Sequence, residues 1–335
     1  MVAAPGDGDL RGAGNGGKVP RTECPTRFSC VASVTGIPHL PVAVSCTSVG
    51  LTDCAGDNVM ELGLNGATTL TADLATDIAA AGKAGFDFIE IWAAKLIDYL
   101  DRGGLPALRR DMRRAGVMAA TLNSVERITF NDPSGHIRML EDFRRLCRVA
   151  EAIGCETILV VPSPRPKGVS DGAIERESVR VLRELSRIAA PHGVRLAYEF
   201  LGFADCTVSN LAQCAAIVEQ AARPNVGLVL DTFHFFAGGS TLASIRSVDP
   251  RRIFMVHLND VERAPRRKMH DALRLYPGDG IIPLREILGG LRRIGYTGQM
   301  SVEIFRPQYW SRSPLQVARE ARKACLRLLR EAGLA

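Results

Sequence analysis

Residues 175–199 read ERESVRVLRELSRIAAPHGVRLAYE. In the first part, 175–192, apolar residues recur three or four positions apart among charged ones, which predicts an amphipathic helix. Gly193 follows, and glycine is common just beyond a helix because it adopts the left-handed conformation without a steric cost. The run 194–199 is mostly apolar and ends in Glu199, which predicts a buried strand with an acidic end. The segment is therefore one helix–strand unit.

The same unit recurs along the chain. Further helices are predicted at 72–84, 137–153 and 284–294, and a glycine precedes most strands: Gly85, Gly116, Gly154, Gly193 and Gly295. The predicted strands are 61–65, 86–92, 117–122, 157–162, 194–199, 226–231, 253–258 and 300–304. Eight βα units predict a single-domain α/β fold, a (β/α)8 TIM barrel over 61–335, because an open doubly wound sheet more often has about six strands.

Residues 1–60 differ from the rest of the chain. They are rich in Gly, Pro, Ser, Thr and Cys, include GAGNGG at 12–17, and show no helix or strand period. This composition predicts a disordered extension. The first ten residues carry two Asp and no basic residue, which is unlike a signal peptide. Nine scattered cysteines without a CxxC pair favour a reducing cytoplasm.

The composition also argues against two classes of partner. The net charge is +6, but the arginines are spread over helices among acidic residues, which is typical of a solvated surface and not of a nucleic-acid groove. The longest apolar runs, such as 157–161 and 226–230, are far shorter than the roughly 20 residues of a membrane helix. We therefore expect neither nucleic acid nor membrane as a partner.

Four predicted strands carry a residue of metal-ligand type at their last or second-last position, and active sites of such barrels lie at the C-terminal strand ends. These residues are Glu199, Asp231, His257 and Glu303, from consecutive strands 5 to 8. A charge among apolar neighbours is costly unless it is paired or bound to a cation. One such acid alone commonly caps or pairs at a strand end, whereas four together predict a site for one divalent cation, Mn²⁺, Zn²⁺, Mg²⁺ or Co²⁺.

These ligands favour a particular chemistry. A divalent cation that chelates a carbonyl oxygen and the adjacent hydroxyl oxygen acidifies the hydrogen between them and stabilises the enediolate. Glu199 and Glu303 would flank the substrate as general base and general acid. The alternative is that both are ligands only and another group moves the proton. The ligand set thus predicts an isomerase or epimerase of a small polyhydroxy ketone.

Other polar or aromatic residues near the strand ends are candidate substrate contacts. Each has a structural alternative: a packed histidine, an ion pair or core packing. The candidates are His234, Arg306, Glu90, Trp92, Asn65 and Asn123.

Four strings carry a family resemblance: LNGATTL at 64–70, NVGLVLDTFHF at 225–235, YPGDGIIPL at 276–284 and EIFRPQYW at 303–310. With them the chain resembles the xylose-isomerase-like barrel superfamily of sugar isomerases and epimerases, and within it the inosose isomerases. The resemblance implies conversion of 2-keto-myo-inositol to the 1-keto-chiro isomer through a metal-bound enediolate, with the metal on the same four residues. A polyol or cyclitol ketone is then the expected partner, and a homodimer is possible.

The resemblance is incomplete. In related ketose 3-epimerases a histidine three residues after the Asp ligand contacts substrate, and His234 matches it. Those enzymes carry a Glu six residues after the first ligand, where this chain has Asp205, and an arginine six residues after the His ligand, which Arg263 matches by spacing. An inosose or 3-dehydroshikimate dehydratase stays open as an alternative. An abasic-site endonuclease would need many more histidine and acidic ligands, and the ligand set disfavours a non-catalytic barrel.

Overall fold

A computed structural model describes residues 60–334. The extension predicted for residues 1–60 therefore lies outside the described residues, apart from Met60.

Eight parallel strands close into a barrel in the order β1-β10-β7-β6-β5-β4-β3-β2, which confirms the predicted TIM barrel. The barrel strands are β1 Leu62–Asn65, β2 Phe88–Trp92, β3 Met118–Val125, β4 Thr157–Val160, β5 Arg195–Glu199, β6 Val226–Asp231, β7 Ile253–Leu258 and β10 Met300–Val302. Two further short strands, β8 Asp260–Val261 and β9 Arg274–Leu275, form an antiparallel pair that follows β7.

Helices alternate with the strands and surround the barrel. They are α1 Leu74–Ala84, α2 Ala93–Ala115, α3 Pro133–Ile153, α4 Asp171–Ala189, α5 Leu211–Ala221, α6 Thr232–Ala237, α7 Leu242–Arg246, α8 Leu284–Arg293, α9 Pro307–Trp310 and α10 Pro314–Glu331. The α2 helix is interrupted at Gly104, whose φ of 67° is not helical. All five glycines predicted to precede strands have positive φ, so the helix–glycine–strand pattern identified the joints correctly.

Six of the eight barrel strands differ from the prediction by one to three residues at one or both ends. The third strand continues to Val125 instead of ending at residue 122, because register shifts in its pairing with both neighbours add irregular positions that alternation cannot reveal. The eighth strand ends at Val302, two residues early. The β8–β9 pair was not predicted, since strands of two residues show no period.

The barrel interior is divided into two layers because every second residue of a strand faces inward. The lower layer is apolar and includes Phe88, Leu159, Ala197, Val229 and Met255. Two residues further along four of these strands, the side chains are polar and buried: Glu90, Glu199, Asp231 and His257. The polar groups therefore lie directly above an apolar floor.

A glycine makes room for the largest side chain of this floor. Gly63 in β1 pairs with Phe88 in β2, and a Cβ on Gly63 would lie 1.9 Å from Cε2 of Phe88. We expect Gly63→Ala to lower the free energy of unfolding by about 1–3 kcal/mol, because overpacking a filled interior displaces side chains. Urea unfolding measures this change. Gly172→Ala in α4, where the nearest atom is the end of the Arg176 side chain, is the matched control and should not destabilise.

The same pair gives an internal check on that prediction. Phe88→Leu shortens the side chain that the new methyl group would meet, so Gly63→Ala should cost less in a Phe88→Leu background than in the wild type. Equal costs in the two backgrounds would contradict this account of the floor.

Within residues 60–334, no helix combines the length and the apolar character needed to span a membrane.

Candidate metal centre and substrate site

Four side chains converge at the C-terminal mouth of the barrel. Glu199 ends β5, Asp231 ends β6, His257 lies in β7 and Glu303 follows β10. One ligand atom from each lies within 4.8 Å of the others, and all four residues are buried. Strand register produces this convergence, since His257 is paired with Asp231 on one side and with Ser301 on the other, two residues before Glu303. The structure thus brings together the four predicted ligands.

His257 presents one nitrogen to this group. Its Nδ1 is 3.0 Å from Oε1 of Glu199 and 3.3 Å from Oε2 of Glu303, and 3.8 Å from Oδ2 of Asp231. Burial alone would lower the pKa of the imidazole, but the surrounding carboxylates, Glu303 first, raise that pKa well above its ordinary value. The imidazole is therefore held in a strongly negative environment.

Asp231 is fully buried and held on both oxygens. Its Oδ1 accepts the backbone N–H of His234 at 2.7 Å, and its Oδ2 accepts from Nδ2 of Asn259 at 2.7 Å and Nη1 of Arg274 at 2.8 Å. Burial opposes ionisation, but Arg274, the neighbouring histidines and the backbone N–H of His234 together outweigh it and lower the pKa of Asp231 to about 2. Asp231 is therefore kept as a carboxylate.

The two glutamates have different surroundings. Oε1 of Glu303 accepts hydrogen bonds from the side-chain amides of Asn65 at 3.1 Å and Asn123 at 2.9 Å, and Oε2 accepts from Arg274 at 3.0 Å. For Glu199, burial raises the pKa to about 8. Asn65 and Asn123, predicted as substrate contacts, thus hold Glu303 in this structure.

The chemistry of this donor set fits a divalent cation. Glu90, Glu199, Asp231 and Glu303 are buried carboxyl groups around one imidazole, and Arg274 is the guanidinium beside them. Several buried acids near a single fixed cation are costly unless further positive charge binds among them. Three carboxylates and one imidazole are ligands suited to Zn²⁺, Mn²⁺, Co²⁺ or Mg²⁺. A divalent ion would supply the missing charge.

Arg274 is a site residue that the sequence analysis missed. It is 1% exposed and lies between the rings of Phe233 and Phe305, with Cζ 4.7 Å and 5.2 Å from their centroids. Besides Asp231 and Glu303 it contacts Asp271 at 2.9 Å. It reaches the site because β9 pairs with β8 directly after the His257 strand. Arg263, which matched by spacing, is exposed, as is Asp205.

Asn259 and Asp260, both buried, were missed as well. The side chain of Asn259 bridges Asp231 and the backbone N–H of Phe233. The Asp260 carboxylate accepts the backbone N–H groups of Val261, Gly278, Gly280 and Ile282. It therefore fixes the loop that follows Arg274. The only sequence signal was their position in HLND, just after His257.

His234 lies at the edge of the group and is buried. Its Nδ1 accepts the N–H of Gly202 at 3.1 Å, and its Nε2 is 3.1 Å from Nη2 of Arg274. Burial lowers the pKa of His234 to about 4, so the ring is neutral at physiological pH. Phe203 packs against it edge to face at 5.1 Å.

The remaining predicted contacts lie further out or behind the group. Arg306 pairs with Glu262 at 2.6 Å and donates to the carbonyl oxygens of Ala272 and Arg274, so it braces the segment that carries Arg274. Trp92 packs edge to face on Phe305 at 5.5 Å. Glu90 is fully buried and lies against Nε2 of His257.

Comparison with known proteins adds independent observations. A family model described as xylose isomerase-like TIM barrel matches residues 78–329. An inosose isomerase of Halalkalibacterium halodurans is 36% identical over 265 residues, which cover 78% of this chain and 94% of that protein. A 3-dehydroshikimate dehydratase of Pseudomonas putida is 28% identical, with 78% of this chain and 40% of that protein covered.

Solved structures agree with these sequence relatives. A crystal structure of the IOLI protein with a bound zinc atom superimposes with a TM-score of 0.79 at 34% identity. The match covers 82% of this chain and 99% of that chain. This chain is thus similar to a zinc-containing protein of the same fold over nearly the full length of that protein.

Proposed function

Because the chain belongs to the xylose isomerase-like TIM-barrel family, we propose that it is a divalent-metal-dependent isomerase that converts 2-keto-myo-inositol into its 1-keto isomer. The observation that carries this proposal is the buried group of Glu199, Asp231, His257 and Glu303 at the barrel mouth, in a chain 36% identical to an inosose isomerase. These four residues are the proposed metal ligands.

When bound, a divalent cation at this site polarises a substrate carbonyl and makes the hydrogen on the neighbouring carbon more acidic. Residues of the chain keep two of the ligand carboxyl groups in their ionised form. Arg274 donates to both Asp231 and Glu303, and an adjacent positive charge favours the ionised form of a carboxyl group. The side chains directly below the site are apolar and buried.

Glu199 and Glu303 are the proposed proton carriers. In the barrel they are the two outer members of the ligand group, with Asp231 and His257 between them, so they flank a substrate seated over the centre. One carboxylate oxygen takes the hydrogen from the hydroxyl-bearing carbon, and a proton is returned to the former carbonyl carbon. The hydroxyl proton moves to the former carbonyl oxygen, so the ketone and alcohol exchange places without net loss of atoms.

Dehydration is the second candidate function, favoured by the similarity to a 3-dehydroshikimate dehydratase. It would begin with the same proton removal but would then expel a β-hydroxyl group as water. The two reactions differ in product, since dehydration creates a conjugated carbonyl compound that absorbs in the ultraviolet.

A deuterium experiment distinguishes these outcomes. Zinc-loaded protein is incubated in D₂O with 2-keto-myo-inositol and, separately, with 3-dehydroshikimate, while proton NMR and ultraviolet absorbance are recorded. We expect the 1-keto isomer to accumulate from the first substrate without new ultraviolet absorbance. Absorbance growth with no isomer formed would overturn the isomerase proposal in favour of a dehydratase, and inertness towards both substrates would overturn both.

A further inference from the structure

Glu90 is a fully buried carboxyl group that does not belong to the proposed ligand set. It lies in the barrel interior, in β2, and none of its surface is exposed. Glutamate is almost never fully buried unless it is paired, so a specific partner is expected. That partner lies across the barrel, in β7.

The carboxylate of Glu90 faces one nitrogen of His257. Its Oε1 and Oε2 lie 3.1 Å and 3.3 Å from Nε2. The other ring nitrogen, Nδ1, faces Glu199, Asp231 and Glu303. The imidazole ring therefore stands between Glu90 and the ligand group.

Asn65 holds Glu90 in this position. Its Nδ2 donates to Oε1 of Glu90 and to Oε1 of Glu303, both at 3.1 Å. Its own Oδ1 accepts the backbone N–H of Ala67 at 2.9 Å, which fixes the amide orientation. Because Asn65 is paired with Glu90 in the β1–β2 register, the strands themselves set this contact.

We propose that Glu90 is a positioning residue that accepts the Nε2–H of His257 and thereby leaves the Nδ1 lone pair directed at the cation. A neutral imidazole carries a proton on only one nitrogen, and an ionised carboxylate can only accept. Metal-binding histidines commonly donate their second nitrogen to a carboxylate, which fixes both tautomer and ring orientation. The inference rests on the proposed function, since it assumes that His257 is a metal ligand.

The buried acids therefore have two different roles. Glu199, Asp231 and Glu303 bind the cation on the Nδ1 side of His257. Glu90 acts through His257 and contacts neither the cation nor the substrate. Removing Glu90 should therefore weaken the affinity for the cation by about 10–100-fold, the usual loss when such an outer partner is removed. Glu90→Gln keeps an acceptor oxygen for Nε2–H and should lose much less.

Zinc affinity tests this directly, without reference to turnover. The full-length wild type, Glu90→Leu and Glu90→Gln are stripped of metal and titrated with Zn²⁺ against a chromophoric chelator, with Glu141→Gln on the exposed face of α3 as the matched control. We expect a 10–100-fold weaker affinity for Glu90→Leu, a smaller loss for Glu90→Gln and no change for the control. Equal affinities of the wild type and Glu90→Leu would overturn the role of Glu90 and leave the proposed function intact.

Nitrogen NMR of the wild type keeps the test decisive even if Glu90→Leu does not fold. In protein with ¹⁵N-labelled histidine, zinc should shift the Nδ1 resonance of His257 while Nε2 retains its proton. Zinc binding that removes the Nε2 proton and leaves the proton on Nδ1 would overturn the inference. A wild type that binds no zinc at all would instead overturn the proposed function on which the inference rests.

Discussion

Glu303→Gln is expected to lower kcat for isomerisation by about 10³-fold or more, since it removes both a metal ligand and a proposed proton carrier, and a positioned acid or base alone contributes about 10²–10⁴-fold. The glutamine amide has the shape of the carboxylate but lacks its charge. Asn65 and Asn123 would still find an acceptor, whereas Arg274 would lose an ionised partner. The variant should therefore fold normally but lose catalytic activity.

Steady-state kinetics and metal content measure the two losses separately. Glu141→Gln, the same substitution at an exposed helix position, should retain wild-type kcat and one metal ion per chain. A Glu303→Gln protein with near-normal kcat would contradict both proposed roles. One that binds zinc normally but does not turn over would show that Glu303 moves the proton without being essential for the metal.

Arg274→Leu is expected to have the largest effect on stability. Arg274 is 1% exposed and pairs with Asp231, Asp271 and Glu303. Removing one member of a buried ion-pair group costs about 3–5 kcal/mol, because the remaining charges stay buried without compensation. Leucine fills space between Phe233 and Phe305 but brings no charge, so the loss is electrostatic.

Urea unfolding of metal-stripped and zinc-loaded protein checks this prediction. Bound zinc compensates part of the same negative charge, so Arg274→Leu should destabilise the loaded protein less than the stripped protein. Arg285→Leu, at an exposed position of α8, serves as the control and should change little. An Arg274→Leu protein as stable as the wild type in both states would contradict the electrostatic account.

The main parts of the fold were predictable because they follow from local patterns. Short apolar runs, five of them preceded by a predicted helix end and a glycine, located all eight barrel strands. The general position of active sites in such barrels then selected Glu199, Asp231, His257 and Glu303, and the structure brings their ligand atoms within 4.8 Å of one another. Residue type and strand position were enough for that step.

The surroundings of these ligands were not predictable from local patterns. Arg274 enters the site on a pair of two-residue strands that show no alternation, so nothing marked it in preference to Arg263. Glu90 was expected to line the pocket, but its partner, His257, lies in a strand 167 residues away. The closure of the barrel and the side-chain torsion angles determine which imidazole nitrogen contacts the acid. The spacing of residues in the sequence predicts neither of them.

Stepwise restoration of metal tests the central claim most directly. Wild-type protein is stripped with a chelator, Zn²⁺ is added in fractions of one equivalent, and isomerisation of 2-keto-myo-inositol is measured after each addition. The account predicts negligible activity at the start, then a linear rise that stops at one equivalent per chain. Full activity in the stripped protein would contradict it.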